Sequence, residues 1–132
     1  MFVYRFEKLD VWNKAMDFCE FVYKKSANFP KSEIYGLTSQ LRRASTSIPL
    51  NIAEGSACKS KKEFIKFLTI ALRSQYESVT IVQLCFRLGY LNEPESDLLQ
   101  ERLAEIGRML QGLINSLNEK TQTNSKKPKT KN

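Results

Sequence analysis

The sequence predicts an all-α protein, an antiparallel up-down four-helix bundle, and three observations carry that prediction. Apolar residues recur at steps of three and four rather than two. Only five glycines and three prolines interrupt the first 120 residues. The connections between the periodic stretches are short, which makes consecutive helices antiparallel neighbours. With 132 residues, 42% of them apolar, the chain has the size and the core material of one ordinary domain.

The first helix is predicted over residues 10–27. Asp10 is expected as its N-cap, and Trp12, Ala15, Cys19, Val22 and Tyr23 mark its inner face, widened by Val11 and Phe18. Asn28, Phe29 and Pro30 end it. A second helix is expected from Ser32, whose hydroxyl would cap the turn holding Glu33. Ile34, Leu37, Leu41, Ala44, Ile48 and Ile52 form its stripe, and Gly55 is its natural stop. Pro49 lies inside that stripe and removes the backbone bond to the Ser45 carbonyl, so it should kink the helix or divide it. The hydroxyls of Ser45, Thr46 and Ser47 are placed to compensate nearby backbone groups.

Ser60 with Glu63 three residues on reads as a capping box opening the third helix, over residues 60–90. Its apolar residues, among them Phe64, Phe67, Leu68, Ala71, Val82, Cys85, Phe86 and Leu88, cover an arc of about 200°. That is wider than one neighbour layer needs, so the helix is expected to be central, or buried once in its own bundle and once against another subunit. Gly89 to Asn92 form the next turn, and Asn92 followed by Pro94 suits a helix start. The fourth helix repeats Leu99, Leu103, Ile106, Leu110, Leu113 and Leu117 in strict 4-3-4-3-4 steps, a coiled-coil-like seam. Gly107 and Gly112 each cost roughly 1 kcal/mol there, which suggests that another helix approaches closely.

From Thr121 onward the chain is polar, contains Pro128 and carries Lys126, Lys127, Lys129 and Lys131 without an acid. Residues 1–120 are therefore expected to form the bundle domain and residues 121–132 a disordered basic tail. The chain has a net charge of +7; without the four tail lysines, 17 basic residues remain against 14 acidic ones.

Composition excludes much chemistry. There is no histidine, hence no His-based general base, no Ser-His-Asp or Cys-His nucleophile and no His zinc site. No cofactor or metal is implied. No Gly-rich phosphate loop occurs, and Glu33, Glu54, Glu63 and Glu77 form no evident inward pair, so catalysis is not expected. The longest apolar run is residues 1–4, and the opening residues lack the basic and apolar regions of a secretory signal, so the expected location is cytoplasmic. Cys19 and Cys85 read as small core residues. Cys58 sits beside Lys59, Lys61 and Lys62, which would lower its pKa if it is exposed; whether it is reactive is left open by the sequence.

The most informative pattern is on the opposite arc of the third helix. Lys59, Lys62, Lys66, Arg73 and Arg87 fall within about 80° of one another over roughly 40 Å, with Glu77 the one acid among them. A line of cations can follow a phosphate backbone; the competing reading is an ordinary solvated face, which normally mixes signs. Arg42 and Arg43 point about 100° apart on the second helix and so cannot serve one site together. Arg43 shares a polar strip with Gly36, Gln40, Ser47 and Glu54 that suits hydrogen bonding to a neighbouring helix or subunit, and a structural role is favoured for both arginines.

Four blocks of the sequence go further. They are Leu9-x-Val11-Trp12; Phe29-Pro30-x-x-Glu33-x-Tyr35-Gly36-Leu37-x-x-Gln40-Leu41-Arg42-Arg43-Ala44; Ser47-Ile48-Pro49-x-Asn51-Ile52-Ala53-Glu54-Gly55; and Phe64-x-x-Phe67-Leu68-x-Ile70-Ala71-x-x-Ser74-x-x-Glu77. Over about residues 6–117 the chain closely resembles the bacterial four-helix-bundle proteins encoded by intervening sequences in 23S rRNA genes. The accessory variability determinant of diversity-generating retroelements is a relative of that family. The resemblance implies a barrel-shaped homopentamer with a basic surface or channel, and a relative that binds nucleic acid and a reverse transcriptase. The family's ribosomal label reflects where its genes sit. Two departures stand out: Arg73 replaces a residue that is often small, and Ala57-Cys58-Lys59 replaces a stretch often containing Gly and Arg.

Taken together, these readings lead to an expectation of a noncatalytic, oligomeric, basic bundle that contacts structured RNA or an RNA–DNA hybrid through its phosphates. The contacts would come from Lys59, Lys62, Lys66, Arg73 and Arg87, with Arg42 and Arg43 as further candidates. The alternatives are an adaptor docking the same face onto an acidic protein such as a reverse transcriptase, or a structural oligomer with no ligand.

Overall fold

The computed structural model describes the backbone of residues 2–126 and the side chains of residues 2–119. Four helices, α1 (Asp10–Ser26), α2 (Leu37–Ser56), α3 (Lys61–Arg87) and α4 (Glu93–Lys126), are accompanied by short 3-10 turns at Arg5–Lys8 and Lys31–Glu33, with no strand among the described residues. Each helix packs on the next and α4 closes the ring onto α1. Cross-helix bonds fix the directions as antiparallel: Lys14 pairs with Glu105 at 2.9 Å and Lys25 with Glu95 at 3.0 Å, so α1 climbs as α4 descends. α4 runs on through Lys126, past the boundary at residue 120 expected for the tail. Residues 127–132, with the other tail lysines, lie outside the described residues.

The core is filled by the residues that the 3.6-residue period aligns: Ala15, Phe18 and Val22 of α1, Leu41, Ile48 and Ile52 of α2, Leu68, Ala71, Val82 and Cys85 of α3, and Leu99, Leu103, Ile106 and Leu110 of α4. Two expectations shift at the edges. Tyr23 of α1 is exposed and Trp12 only half-buried. In α4 the strict seam holds through Leu110, after which Ile114 is buried and Leu113 only half-buried. A straight helix drifts by about 20° per heptad against a 3.5-residue repeat, which rotates Leu113 outward and Ile114 inward.

α2 begins later than its sequence suggests. Ser32 lies inside the 3-10 turn and caps nothing; the helix starts at Leu37, after Gly36. Its first N–H group is met by a residue from before the helix: Leu37 N–H donates to Glu33 Oε1 at 3.1 Å. The other oxygen, Glu33 Oε2, accepts from the Tyr90 hydroxyl at 2.8 Å, tying this connector to the α3–α4 turn. A Cβ on Gly36 would collide with Glu33 Oε1, so this cap requires glycine there. The two hydrogen bonds hold the Glu33 carboxyl below its usual range.

Pro49 neither divides α2 nor stops it. The Ser45 carbonyl that it leaves without a backbone donor accepts instead from the Cys19 thiol of α1, at 3.2 Å. The Ser45 and Thr46 hydroxyls turn to the Leu41 and Arg42 carbonyls, and Ser47 Oγ accepts from Ser74 Oγ of α3 at 2.9 Å. Gly55 is not the helix stop either. It lies buried within α2, where an added Cβ would sit 2.8 Å from the Phe64 ring and 2.9 Å from Phe67 Cβ. Its absent side chain is what lets α3 approach.

The later caps follow their sequence signals. Ser60 Oγ accepts from Glu63 N–H at 3.1 Å at the start of α3. At its end Gly89 takes φ +82°, and the Gly89 and Tyr90 N–H groups donate back to the Phe86 and Cys85 carbonyls. Asn92 and Glu95 form a reciprocal capping box on α4, each side chain accepting from the other's backbone N–H at 2.9 Å. Gly107 and Gly112 part company. The buried Gln75 amide of α3 crosses Gly107 to donate to the Leu103 carbonyl at 2.8 Å, and a Cβ there would stand 2.9 Å from Gln75 Nε2, whereas nothing lies within 4 Å of a Cβ on Gly112.

These two glycines should respond oppositely to the same substitution. Gly112→Ala should raise stability by up to about 1 kcal/mol through helix propensity. Gly107→Ala should lower it by about 1 kcal/mol, because displacing the buried Gln75 amide costs roughly 1–3 kcal/mol and outweighs the same gain. Denaturant titration of both variants checks the pair of opposite signs. For Glu33, a folded-state pKa below the unfolded value of about 4.5 means that its contribution is complete above that pH and is lost as pH falls through the folded value. Glu33→Gln should therefore destabilise the protein at pH 7, with the difference from wild type narrowing below pH 4.5. A thermal-melt series across pH showing a constant gap would contradict this.

Candidate nucleic-acid interface

The outward face of α3 exists because the opposite face is used up. Leu68, Ala71, Gln75, Ser78, Val82 and Cys85 are buried, and at 100° per residue the solvent side falls to Lys62, Lys66, Arg73, Tyr76, Glu77, Thr80, Leu84 and Arg87, all exposed. The structure thus brings Lys62, Lys66 and Arg73 together on one line over the first half of the helix, with Arg87 on the same side near its end. No carboxylate among the described residues forms an ion pair with any of these four. Elsewhere opposite charges do meet across helices, as in the Lys14–Glu105 and Lys25–Glu95 pairs.

The row is not quite the one expected. Lys59 is exposed but precedes the helix, so helical spacing does not set its direction. Leu84 and Tyr76 interrupt the stretch between Arg73 and Arg87, at 43% and 68% exposure. Arg42 is not part of this face. Its guanidinium donates to Ser26 Oγ at 2.8 Å and to the Tyr23 carbonyl at 3.4 Å, and it lies 4.5 Å over the Tyr23 ring. It therefore holds the last turn of α1, where a cation also meets the negative end of the helix dipole. Arg43 is exposed beside it, at the rim of a shallow depression of about 310 Å³ that Tyr23, Thr38, Ser39 and Thr46 also line.

One cation outside the predicted row joins its start. Arg5 reaches across from the N-terminal turn, its Nη1 donating to the Ser56 carbonyl at 3.2 Å, and it lines a recess of about 140 Å³ with Cys58, Lys59, Ser60 and Lys61. About fifty residues of intervening chain hide that proximity from any local pattern. The pKa of Cys58 moves opposite to the expected direction. Its thiol donates toward the Glu54 backbone carbonyl at 3.5 Å. Desolvation first, and the Glu63 and Glu54 carboxylates after it, push its pKa up, not down. The other two thiols are core groups, pushed by burial to about 12 for Cys19 and about 11 for Cys85.

Among the described residues no three Cys, Asp or Glu side chains come close enough together to hold a metal ion, and no helix is long and apolar enough to cross a membrane. The arrangement is that of a small helical bundle whose distinctive chemistry is displayed on an outer face. The chain belongs to the 23S rRNA-intervening sequence protein family, whose model matches residues 7–112. It is similar in structure to a protein of unknown function from the S23 ribosomal protein family of Bacteroides thetaiotaomicron, with a TM-score of 0.72 and 27% identity. That match covers 79% of this chain and 97% of the other. Comparison with curated proteins finds no match.

The Cys58 environment gives a direct expectation. At pH 8 a thiol-reactive dye should label Cys58 more slowly than it labels free cysteine, since the thiolate fraction is reduced. Labelling faster than free cysteine would show that the neighbouring lysines dominate its field.

Proposed function

We propose that this protein is a noncatalytic, self-associating bundle that binds nucleic acid through phosphate contacts on the outer face of α3. The observation that carries this reading is the row Lys62, Lys66 and Arg73, exposed and without an ion-pair partner among the described residues. Lys59 and Arg87 extend it, Arg5 adds charge at the start of α3, and Arg43 of α2 is a further exposed cation outside the row. Arg42 is a positioning residue that steadies the end of α1. Such a face neutralises phosphates without reading bases, so binding is salt-sensitive and weakly sequence-specific.

Self-association is supported by apolar surface that the single chain leaves open. Leu84, Phe86 and Leu88 at the end of α3 stay 41–49% exposed, which fits a helix with apolar surface on more than one side. On the α1–α2 side, Met16 and Leu50 border an apolar groove of about 380 Å³, next to the exposed Phe2, Val3 and Tyr4. A homopentamer is what the family resemblance implies, and a ring of five copies would concentrate the positive potential.

The combined Lys62→Glu, Lys66→Glu and Arg73→Glu variant should weaken binding to RNA by at least about 10-fold at low salt. It should also flatten the log–log salt dependence by about 0.9 for each phosphate that is no longer neutralised. Unchanged binding removes this face from the function. Capture of a protein that survives nuclease treatment, without RNA binding, moves the reading to an adaptor for an acidic partner. Sedimentation of the full chain as a monomer removes the oligomer.

A further inference from the structure

Tyr76 stands on the basic face of α3, one turn after Arg73, and serves neither the core nor any neighbouring side chain. It is 68% exposed, and among the described residues its ring meets no other ring and no cation. Two other rings are covered. The Phe21 ring lies under Lys25 at 5.4 Å and Arg102 at 4.9 Å, and the Tyr23 ring under Arg42 at 4.5 Å. Cations in this protein thus cover some of its aromatic rings, as their mutual attraction favours. Arg73 is three residues before Tyr76, on the same side of the helix and within reach of it, yet it leaves that ring uncovered. The result is an open aromatic plane in a row of unpaired positive charges.

We infer that Tyr76 is a stacking platform for an unpaired base, so that the ligand of the α3 face is a single-stranded stretch of nucleic acid. The inference rests on the reading of that face as nucleic-acid-binding and narrows it. Cations alone hold duplex and single strand alike, because both carry phosphates. An exposed ring adds affinity only where a base is free to leave its own stack, and the gain is tolerant of sequence because every base has a flat face. Lys62, Lys66 and Arg73 then engage the backbone on one side of the stacked nucleotide, roughly 5–20 Å along the helix from Tyr76.

The test uses the full chain with two labelled probes of equal phosphate count, an oligouridylate and a perfectly paired RNA hairpin stem, titrated at several salt concentrations. Tyr76→Ala should weaken oligouridylate binding between about 5-fold and about 100-fold while leaving the stem unchanged. Stacking is nonionic, so the salt slope should not move, in contrast to the charge-reversal variant. Tyr76→Phe, which keeps the ring, should bind as wild type. Tyr76→Ala binding both probes as wild type does, or weakening both equally, overturns the stacking role while leaving the basic face in place. Failure of the wild-type chain to bind either probe at low salt overturns both.

Discussion

The fold depends on α2 passing Pro49 without breaking. Proline there deletes the N–H that would have met the Ser45 carbonyl in the middle of a buried helix, and an orphaned carbonyl in that place would cost roughly 1–3 kcal/mol. The Cys19 thiol supplies the donor from α1. Desolvation keeps that thiol protonated, with its pKa pushed to about 12, so it remains a donor at any ordinary pH. Because α2 continues, Ile52 reaches the core one turn on, and Gly55 arrives beneath Phe64 and Phe67 in time to receive α3. The position of α3, and so of everything it displays, is inherited from that repair.

Other polar groups also bond helix against helix. Ser47 meets Ser74, Gln75 crosses Gly107 to the Leu103 carbonyl, and Glu33 joins the start of α2 to Tyr90. Among the described residues no buried side-chain nitrogen or oxygen lacks a partner. These bonds select one register for each antiparallel pair, since a slip by one turn would strand several of them at once. The apolar period alone would tolerate such a slip.

What is legible in the sequence is what local rules encode. The four helices, the Ser60 and Asn92 starts, the Gly89 turn and most of the core follow from spacing and caps within a few residues of one another. Several departures arise where a group's partners are distant in sequence. Ser32 resembles a cap for α2, but the true acceptor, Glu33, needs Gly36 to clear its path and Tyr90 to fix its second oxygen. Gly55 resembles a stop because nothing nearby in the chain announces Phe64 and Phe67 above it. Cys58 has lysines adjacent in sequence, but its pKa follows desolvation and the carboxylates of Glu63 and Glu54, five and four residues away. The α3 face is recoverable because all its helical members share one axis, and Arg5 is not, because it arrives from another element.

That face also departs from what helix stability alone would select. Lys62 and Lys66 repel across one turn, an unfavourable pair by roughly 0.2–0.5 kcal/mol, and Arg73 extends the row without an ion pair to Glu77 four residues on. The same chain places acids well where they serve the bundle: Glu95 caps α4 and pairs with Lys25, and Glu105 pairs with Lys14. Glu77 lies on the α3 face but forms no ion pair with any of these cations. A bundle selected only to fold would exchange one of the three for glutamate and gain by it. Under the proposed function, the like charges on α3 beside an exposed ring are kept for phosphates outside the molecule.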